Sequence, residues 1–390
     1  MMLQVNLLEA FKQNIILLKS MGLWCYKNER FYKFFKYYVQ SSLVFDSSSL
    51  IIYVALNIGI KNVTDTIYSL PGSLEVVLQS VLFRKNFHLI KKSLDNLNQP
   101  QFQPKNEAQV KILKDSIILS RKVFYSFFGL VFVMITMWMV LPLTKKGKFL
   151  PTKYWIPFDY RLPVVYELLY VFECCCIIFH AFSNVALDTF FSIAMVQIGA
   201  QCDVLCDSIR NVRELAKINT DGELKQEEYN RMEKVLIGCV HHYNSISEYA
   251  NFISNSFKEI LMVQFICSSL MLCVSMYELS LSEPMSAHFF QVFLFQISAT
   301  NEIFLYCWFA NEVIIKSEKL YYATFESQWY DSSTTFRKNL TIFTHQVKKP
   351  ICLFVYNIVP VDIKSFSGLL QKCWSFFIAM KNTEDLRSNN

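Results

Sequence analysis

Long apolar runs separated by polar segments dominate the pattern of the chain. Two clear runs are "VFYSFFGLVFVMITMWMVLPL" and "FKEILMVQFICSSLMLCVSMYEL", each close to the ~20 residues that a helix needs to cross a bilayer. The pattern predicts an all-α membrane protein with seven transmembrane helices. The predicted spans are roughly 39–60, 64–84, 123–143, 164–199, 257–281, 288–313 and 351–380.

The second predicted span is the most polar of the seven. It contains Asp65 and Glu75, and the pair Pro71-Gly72 predicts a kink. A segment this polar is expected to face protein or water, because lipid cannot satisfy its polar groups.

Composition supports a membrane protein. The chain is 53% hydrophobic and 18% charged, whereas soluble domains average about 45–50% and 25%. No cleavable signal peptide is expected, because Glu9, Lys12 and Lys19 interrupt the first apolar stretch.

The distribution of Lys and Arg predicts the orientation in the membrane. Most of the 38 Lys and Arg residues fall in the N-terminal segment and in the segments after the second, fourth and sixth spans. By the positive-inside rule these segments are cytoplasmic. Seven crossings then place the C-terminus outside, which is the reverse of a G-protein-coupled receptor.

Chemical motifs are scarce along the chain. Most of the 12 cysteines lie in or near apolar runs without metal-ligand spacing, which favours small buried side chains over disulfides or zinc. The sequence contains no phosphate loop, nucleophile elbow or metal motif. We therefore expect no enzyme activity, no cofactor or metal, and no nucleic-acid partner.

The inner segment 201–256 has its own helical pattern. "QCDVLCDSIRNVRELAKI" is expected to continue the fourth helix into the cytoplasm, and Asp221-Gly222 predicts a turn. Apolar and aromatic residues then recur every three or four positions on one face. They are Tyr229, Met232, Leu236, Cys239, Tyr243, Ile246, Ala250 and Ile253. This face predicts either packing within one subunit or a subunit interface.

A second cytoplasmic helix is predicted over about 318–348, ending before Pro350. It contains "FESQWYDSS", in which Trp329 and Tyr330 carry polar tips suited to a packed joint. Helix seven is therefore expected in two pieces, one cytoplasmic and one spanning the membrane.

The last span carries a stripe of small or polar residues. Its members are Lys364, Gly368, Gln371, Lys372, Ser375, Ala379 and Thr383. Such a stripe predicts either close helix packing or a water-lined face. Because lysine is costly in hydrocarbon, Lys364 and Lys372 favour water. One helix cannot enclose a pore, so this interpretation requires several subunits around an axis.

The C-terminal third resembles insect odorant receptors. The resemblance is carried by "FLYCWFANEVIIKSEKLYYATFESQWY" and "RKNLTIFTHQVKKPICLFVYNIVPVDIKSFSGLLQKCWSFFIAM", with weaker similarity in "LPTKYWIPFD" and "ALDTFFSIAMVQIGAQCDVL". The matched positions are Cys307, Asn311, Glu312, Ser317, Ser327, Trp329, Tyr330, Arg337, Lys338, Pro350, Phe366, Leu370, Ser375 and Phe377.

The resemblance implies an odour-tuned subunit of a ligand-gated, non-selective cation channel in the plasma membrane of sensory neuron dendrites. Four subunits, including the odorant receptor co-receptor, would surround a pore lined by the last helix. The cytoplasmic helices would form the subunit anchor, to which we assign Tyr243, Glu326, Trp329, Tyr330 and Arg337. The ending "CWSFFIAM" departs from the family's Ser-Tyr-Ser-Tyr-Phe-like run, and Ala379 and Thr383 are smaller than expected for a gate.

The alternatives are a gustatory-type channel, a G-protein-coupled chemoreceptor and a transporter. The missing DRY and NPxxY motifs argue against the second, and the missing internal repeat argues against the third. We divide the chain into an outer ligand-binding part (1–200), a cytoplasmic anchor (201–256), helices five, six and the first half of seven (257–350), and the pore segment (351–390).

The resemblance also places the odorant in the outer half of the bundle, among helices two, three, four and six. Small-ligand sites are mostly apolar with a few polar groups, and methionine adapts to varied shapes. The candidates are Tyr68, Gly72, Met134, Met137, Trp138, Phe172, Cys176, Phe179, His180, Ser183, Phe293, Gln296 and Thr300.

Two further features of this half have open interpretations. Glu173 and His180, seven residues apart, form either a functional pair or a hydrogen bond within the bundle. The segment "GKFLPTKYWIPFDYRL" forms either a lid over the ligand or an aromatic anchor at the membrane interface.

Overall fold

The computed structural model describes residues 4–24, 30–57, 64–145, 147–162, 164–216, 225–356 and 358–388. The turn predicted at Asp221-Gly222, the first predicted span beyond residue 57, and the side chain of Thr383 lie outside the described part. The prediction of an all-α membrane fold is confirmed.

Helices account for almost all of the described chain. They are α1 (Lys12–Ser20), α2 (Arg30–Leu56), α3 (Thr64–Ile67), α4 (Leu70–Lys85), α5 (Phe87–Leu97), α6 (Glu107–Thr144), α7 (Val165–Arg210), α8 (Val212–Ala216), α9 (Lys225–Leu281), α10 (Ala287–Glu326), α11 (Thr334–Val347) and α12 (Ile363–Ser388), with short 3₁₀ turns at Leu7–Phe11 and Pro100–Phe102.

Five of these helices are long and apolar enough to cross a membrane: α2, α6, α7, α9 and α10. They correspond to the first, third, fourth, fifth and sixth predicted spans. The second predicted span is divided into α3 and α4. Pro71 lies in the first turn of α4, where a missing N–H costs nothing, so it begins a helix instead of kinking one.

The core is centred on α7. Every residue from Val185 to Cys202 is buried, as expected for a helix that is covered on all sides. Neighbouring helices α6, α9 and α10 pack around it. At its outer end α7 leaves this core and contributes to the cavity described below.

Several helices continue well beyond the membrane on the cytoplasmic side. α6 begins sixteen residues before its predicted span, and α7 and α9 extend through residues 200–210 and 225–256. The apolar face predicted on α9 is buried within the same chain, for example at Met232, Leu236 and Ile253. Packing within one subunit therefore accounts for that face.

The polar helix predicted over 318–348 is wrong as one element. α10 ends at Glu326, residues 327–333 form a turn, and α11 begins at Thr334. The hydroxyls of "FESQWYDSS" explain the break, because Ser333 caps α11 by accepting a hydrogen bond from the Phe336 backbone N–H at 3.1 Å.

The last span also begins later than predicted. Residues 351–356 and 358–362 are not helical, and they contain a short antiparallel pair, β1 (Phe354–Val355) with β2 (Val359–Pro360). Pro360 interrupts any helix, and Asp362 caps α12 by accepting from the Ser365 backbone N–H at 2.7 Å. The helical part of the seventh predicted span is therefore α12, from Ile363, which is not among the five helices long and apolar enough to cross a membrane.

Candidate ligand-binding site

A cavity of about 140 Å³ lies among α2, α4, α6, α7, α9 and α10. It is far larger than one water molecule, and it is close to the ~150 Å³ apolar cavity that binds benzene in another protein. Its apolar lining is Leu50, Gly72, Val76, Val131, Met134, Ile135, Trp138, Ile177, Ala181, Met271, Phe295 and Ala299.

One wall of the cavity is aromatic. The rings of Tyr68, Trp138 and Phe295 pack on each other, with centroids 5.1–5.8 Å apart. Next to this wall, Gly72 lets Met271 of α9 approach α4 closely, because a Cβ at Gly72 would lie 3.2 Å from Sδ of Met271. The wall offers a flat apolar surface to a small ring or chain.

The outer loop covers the cavity. Thr152 and Tyr154 line it, the Thr152 backbone N–H donates to Glu173, and Trp138 Nε1 donates to the Pro151 carbonyl at 3.2 Å. Burial of the Tyr154 hydroxyl raises its pKa well above the ordinary value, and neighbouring Asp46 adds to this. The phenol therefore stays neutral and holds the loop against α2.

The same loop also exposes aromatic side chains. Trp155 and Phe158 are 39% and 55% exposed, as residues at a membrane interface often are. The structure thus gives this loop the geometry of both predicted roles: its inner residues line the cavity, and its outer residues face the surroundings.

Glu173 and His180 do not pair with each other. Glu173 accepts from the loop at Thr152, whereas His180 Nδ1 lies 3.7 Å from Asp46 Oδ2 and 3.1 Å from the Cys176 carbonyl oxygen. Glu173 therefore joins α7 to the outer loop, and His180 joins α7 to α2.

Three carboxyl groups meet at the inner end of the cavity. Glu75 and Glu302 line it, and Asp188 lies next to them; the exposed fractions of the three are 0%, 4% and 0%. Gln79 Nε2 donates to Glu75 at 3.3 Å, and Asn184 Nδ2 donates to Glu302 at 3.1 Å. Tyr306 donates to Asp188 at 2.7 Å.

The structure brings some of the thirteen predicted ligand contacts to this cavity and not others. Gly72, Met134, Trp138 and His180 line it, and Tyr68 packs behind Trp138. The other eight are not in its lining. Phe172 lines a separate small pocket, Phe179 packs on Phe35, Phe293 is 40% exposed and Gln296 accepts a hydrogen bond from Ser275. The remaining four are Met137, Cys176, Ser183 and Thr300.

Sequence reasoning missed most of the polar lining, including Asp46, Asn184 and Glu302. A signal was present, since an ionisable residue inside an apolar span is expensive and commonly functional. From the sequence, Glu75 indicates only that the second predicted span is polar. Its position at the cavity explains why α4 is polar.

The predicted anchor residues fall into two groups. Tyr243 is buried against Phe343 of α11, with ring centroids 5.9 Å apart. Glu326 pairs with Arg210, whereas Trp329, Tyr330 and Arg337 are exposed on this single chain.

The predicted pore stripe lies on the part of α12 that points away from the bundle. Lys364, Gln371, Lys372, Ser375 and Ala379 are exposed, and Gly368 is half-buried. α12 packs on the bundle through Phe366, whose ring lies 5.6 Å from that of Phe304, and through Cys373, which contacts Cys273.

The fold and the cavity define an all-α, multi-pass membrane protein with a site for a small molecule. The sequence model of the 7tm odorant receptor family matches residues 77–373. The chain belongs to this family, which is a family of receptors and not of enzymes.

Individual relatives agree with this assignment. Odorant receptor Or1 of Anopheles gambiae is 20% identical over 83% of this chain and 82% of its own length. Odorant receptor 46a, isoform A, of Drosophila melanogaster is 21% identical over 85% and 86%. The structure of olfactory receptor OR5 of Machilis hrabei in complex with eugenol superposes with a TM-score of 0.82 over 97% of this chain and 98% of that one, at 17% identity.

Proposed function

We propose that this odorant receptor binds a small volatile hydrophobic molecule in the cavity and opens a non-selective cation channel together with the odorant receptor co-receptor. The observation that carries the proposal is the placement of α9. Met271 of this helix lines the cavity, and Cys273, two residues further on, contacts Cys373 of the last helix.

The cavity suits a small, mostly apolar ligand. Its lining combines aromatic, methionine and aliphatic side chains with a few polar groups, as small-molecule sites usually do. Gly72, Met134, Trp138 and His180 are the ligand contacts that we carry forward from the sequence. The similar structure of OR5 was determined with eugenol, which supports a volatile ligand in this fold.

The last helix is the pore segment in this proposal. Its exposed stripe from Lys364 to Ala379 would face water only if other subunits surrounded the same axis. The exposed Trp329, Tyr330 and Arg337 would then contact a neighbouring subunit, because large amphipathic aromatics and arginine are enriched in such interfaces.

The path from ligand to pore is short. A ligand changes an equilibrium only by its different affinity for two states. In this receptor the ligand contacts α9, and α9 contacts α12, so a shift of α9 on binding displaces the pore helix directly. Helix α10 gives a second route through Phe304 and Phe366.

The test is whole-cell recording from cells that express this chain with and without the co-receptor. A panel of volatile compounds is applied while G-protein signalling is blocked, and surface labelling confirms expression. We expect a fast cation current that requires both chains.

The outcomes separate the parts of the proposal. Current from this chain alone would contradict the need for the co-receptor, and a response abolished by the G-protein block would contradict the channel. With both chains at the surface, silence across a panel that activates a control receptor would contradict the proposal as a whole.

A further inference from the structure

We propose that the cavity accepts an amine-bearing volatile, whose ammonium group pairs with Glu75 at the inner end. This inference rests on the proposed function and specifies its ligand class. Two independent observations carry it: the charge of the cavity lining, and one carboxylate oxygen that lacks a hydrogen-bond donor.

The lining of the cavity is acidic without a basic counterpart. Asp46, Glu75 and Glu302 face it from α2, α4 and α10, whereas none of the described residues that line it is Lys or Arg. His180 is the one basic side chain among them, and it lies beside Asp46. The inner end therefore holds carboxyl groups with no Lys or Arg next to them in the part of the chain that the structure describes.

Among the three carboxyl groups that line the cavity, the hydrogen-bond partners single out Glu75, whereas Asp188, whose Oδ2 also lacks a partner among the described residues, lies outside the lining. Tyr154 and His180 contact Asp46, and Asn184 and Gln264 donate to Glu302. Glu75 receives one bond on Oε1 from Gln79. Its Oε2 is buried and accepts no hydrogen bond from the N–H or hydroxyl groups of the described residues, and the neighbouring carboxyl group within hydrogen-bonding distance of Glu75 is that of Glu302.

Two neighbouring carboxyl groups in an apolar site cannot both be charged without a large cost, and a ligand that brings an N–H donor and a positive charge relieves that cost. If the carboxyl group and the amine are both neutral when they meet, transfer of one proton from oxygen to nitrogen gives the same carboxylate–ammonium pair. The ring wall of Trp138 and Phe295 would hold the apolar part of the ligand.

Three ligands of equal heavy-atom count test the proposal: benzylamine, benzyl alcohol and ethylbenzene. Each is added at the same concentration to the purified full chain in detergent, and the shift of the unfolding midpoint is measured, since at a fixed concentration the stabilisation of the folded state grows with the logarithm of the ligand's affinity. We expect benzylamine to bind at least about tenfold more tightly than benzyl alcohol, because a hydrogen bond between charged groups is stronger than one between neutral groups.

The variant Glu75→Gln removes the charge and keeps the size. We expect it to lose the preference for benzylamine and to retain binding of ethylbenzene. Glu278→Gln is the matched control, because Glu278 is also a buried glutamate of the bundle but binds His288 outside the cavity lining.

Each result decides the proposal. Equal or weaker binding of benzylamine than of benzyl alcohol to the unaltered protein overturns it, even if Glu75→Gln fails to fold. An amine preference that survives Glu75→Gln overturns the role of Glu75. Binding is measured without current, so channel activity with neutral volatiles but no amine preference refutes only this inference.

Discussion

Met134 and Met137 lie three residues apart on α6, but only Met134 lines the cavity. Both were predicted as ligand contacts from their position in the third span, because the sequence shows the composition of a helix and not which side meets a void. The three-dimensional packing of α6 against α7 and α10 separates them.

This difference gives a matched pair of substitutions. We expect Met134→Ala to raise the agonist concentration for half-maximal current about tenfold, since it removes roughly 1–2 kcal/mol of apolar contact. Met137→Ala should leave that concentration unchanged. Dose–response recording with the co-receptor measures both, and equal shifts in the two variants would contradict the location of the site.

His242 is a titratable residue buried on the cytoplasmic side. Its Nε2 lies 2.9 Å from Gln201 Oε1, and Phe102 and Lys105 are its other neighbours. Burial, and secondarily Lys105, lowers its pKa to about 3. Because the unfolded residue titrates near 6.5, protonation below that pH favours the unfolded chain.

We expect the folded chain to lose about 2 kcal/mol of stability between pH 7 and pH 5 through this one residue, with no such loss above pH 7. His242→Gln keeps a hydrogen-bonding side chain but cannot titrate, so its unfolding midpoint should fall less steeply over the same range. Parallel pH curves for the two proteins would show that His242 is not responsible.

At the scale of elements, the apolar runs predicted five long helices well and two short ones poorly. A run of twenty apolar residues has few alternatives to a membrane helix, so α2, α6, α7, α9 and α10 were found. The starts of α11 and α12, by contrast, are set by the helix caps of Ser333 and Asp362. A pattern of hydrophobic residues does not show where such caps lie.

The contact between α9 and α12 is open to a chemical test. Cys273 and Cys373 are close enough for a thiol hydrogen bond, so oxidation by copper–phenanthroline should join the two helices through a disulfide. Peptide mapping without reductant would detect the link, and Cys273→Ser should abolish it while Cys267→Ser does not.

The link also bears on gating. If α12 moves relative to α9 when the channel opens, the oxidised receptor should give less current and recover with a reductant. Full current from a receptor shown to be cross-linked would mean that these two helices move together.

For the whole molecule, the sequence was sufficient for class and family but insufficient for the site. The family-specific residues cluster near the C-terminus, whereas the cavity is assembled from six helices and an outer loop spread over residues 46–302. The carboxyl groups at its inner end come from α4, α7 and α10. No local pattern shows that Glu75, Asp188 and Glu302 meet.

The pore assignment makes a prediction about conduction. If Lys372 faces the permeation path, its charge repels cations, and Lys372→Glu should raise single-channel conductance roughly twofold or more. Lys258→Glu is the control, because Lys258 lies on α9 over the ring of Tyr356. Unchanged conductance in Lys372→Glu would remove α12 from the pore lining.

The exposed lysines of α12 have a consequence for biosynthesis. A lysine in the middle of a helix inserted alone into lipid costs about 2.5–3.5 kcal/mol, and α12 carries Lys372 ten residues into the helix, on surface that its own chain leaves open. A newly made copy therefore bears this cost until it meets other copies or the co-receptor. We expect solitary subunits to be retained inside the cell and degraded, and co-expression to increase their number at the surface.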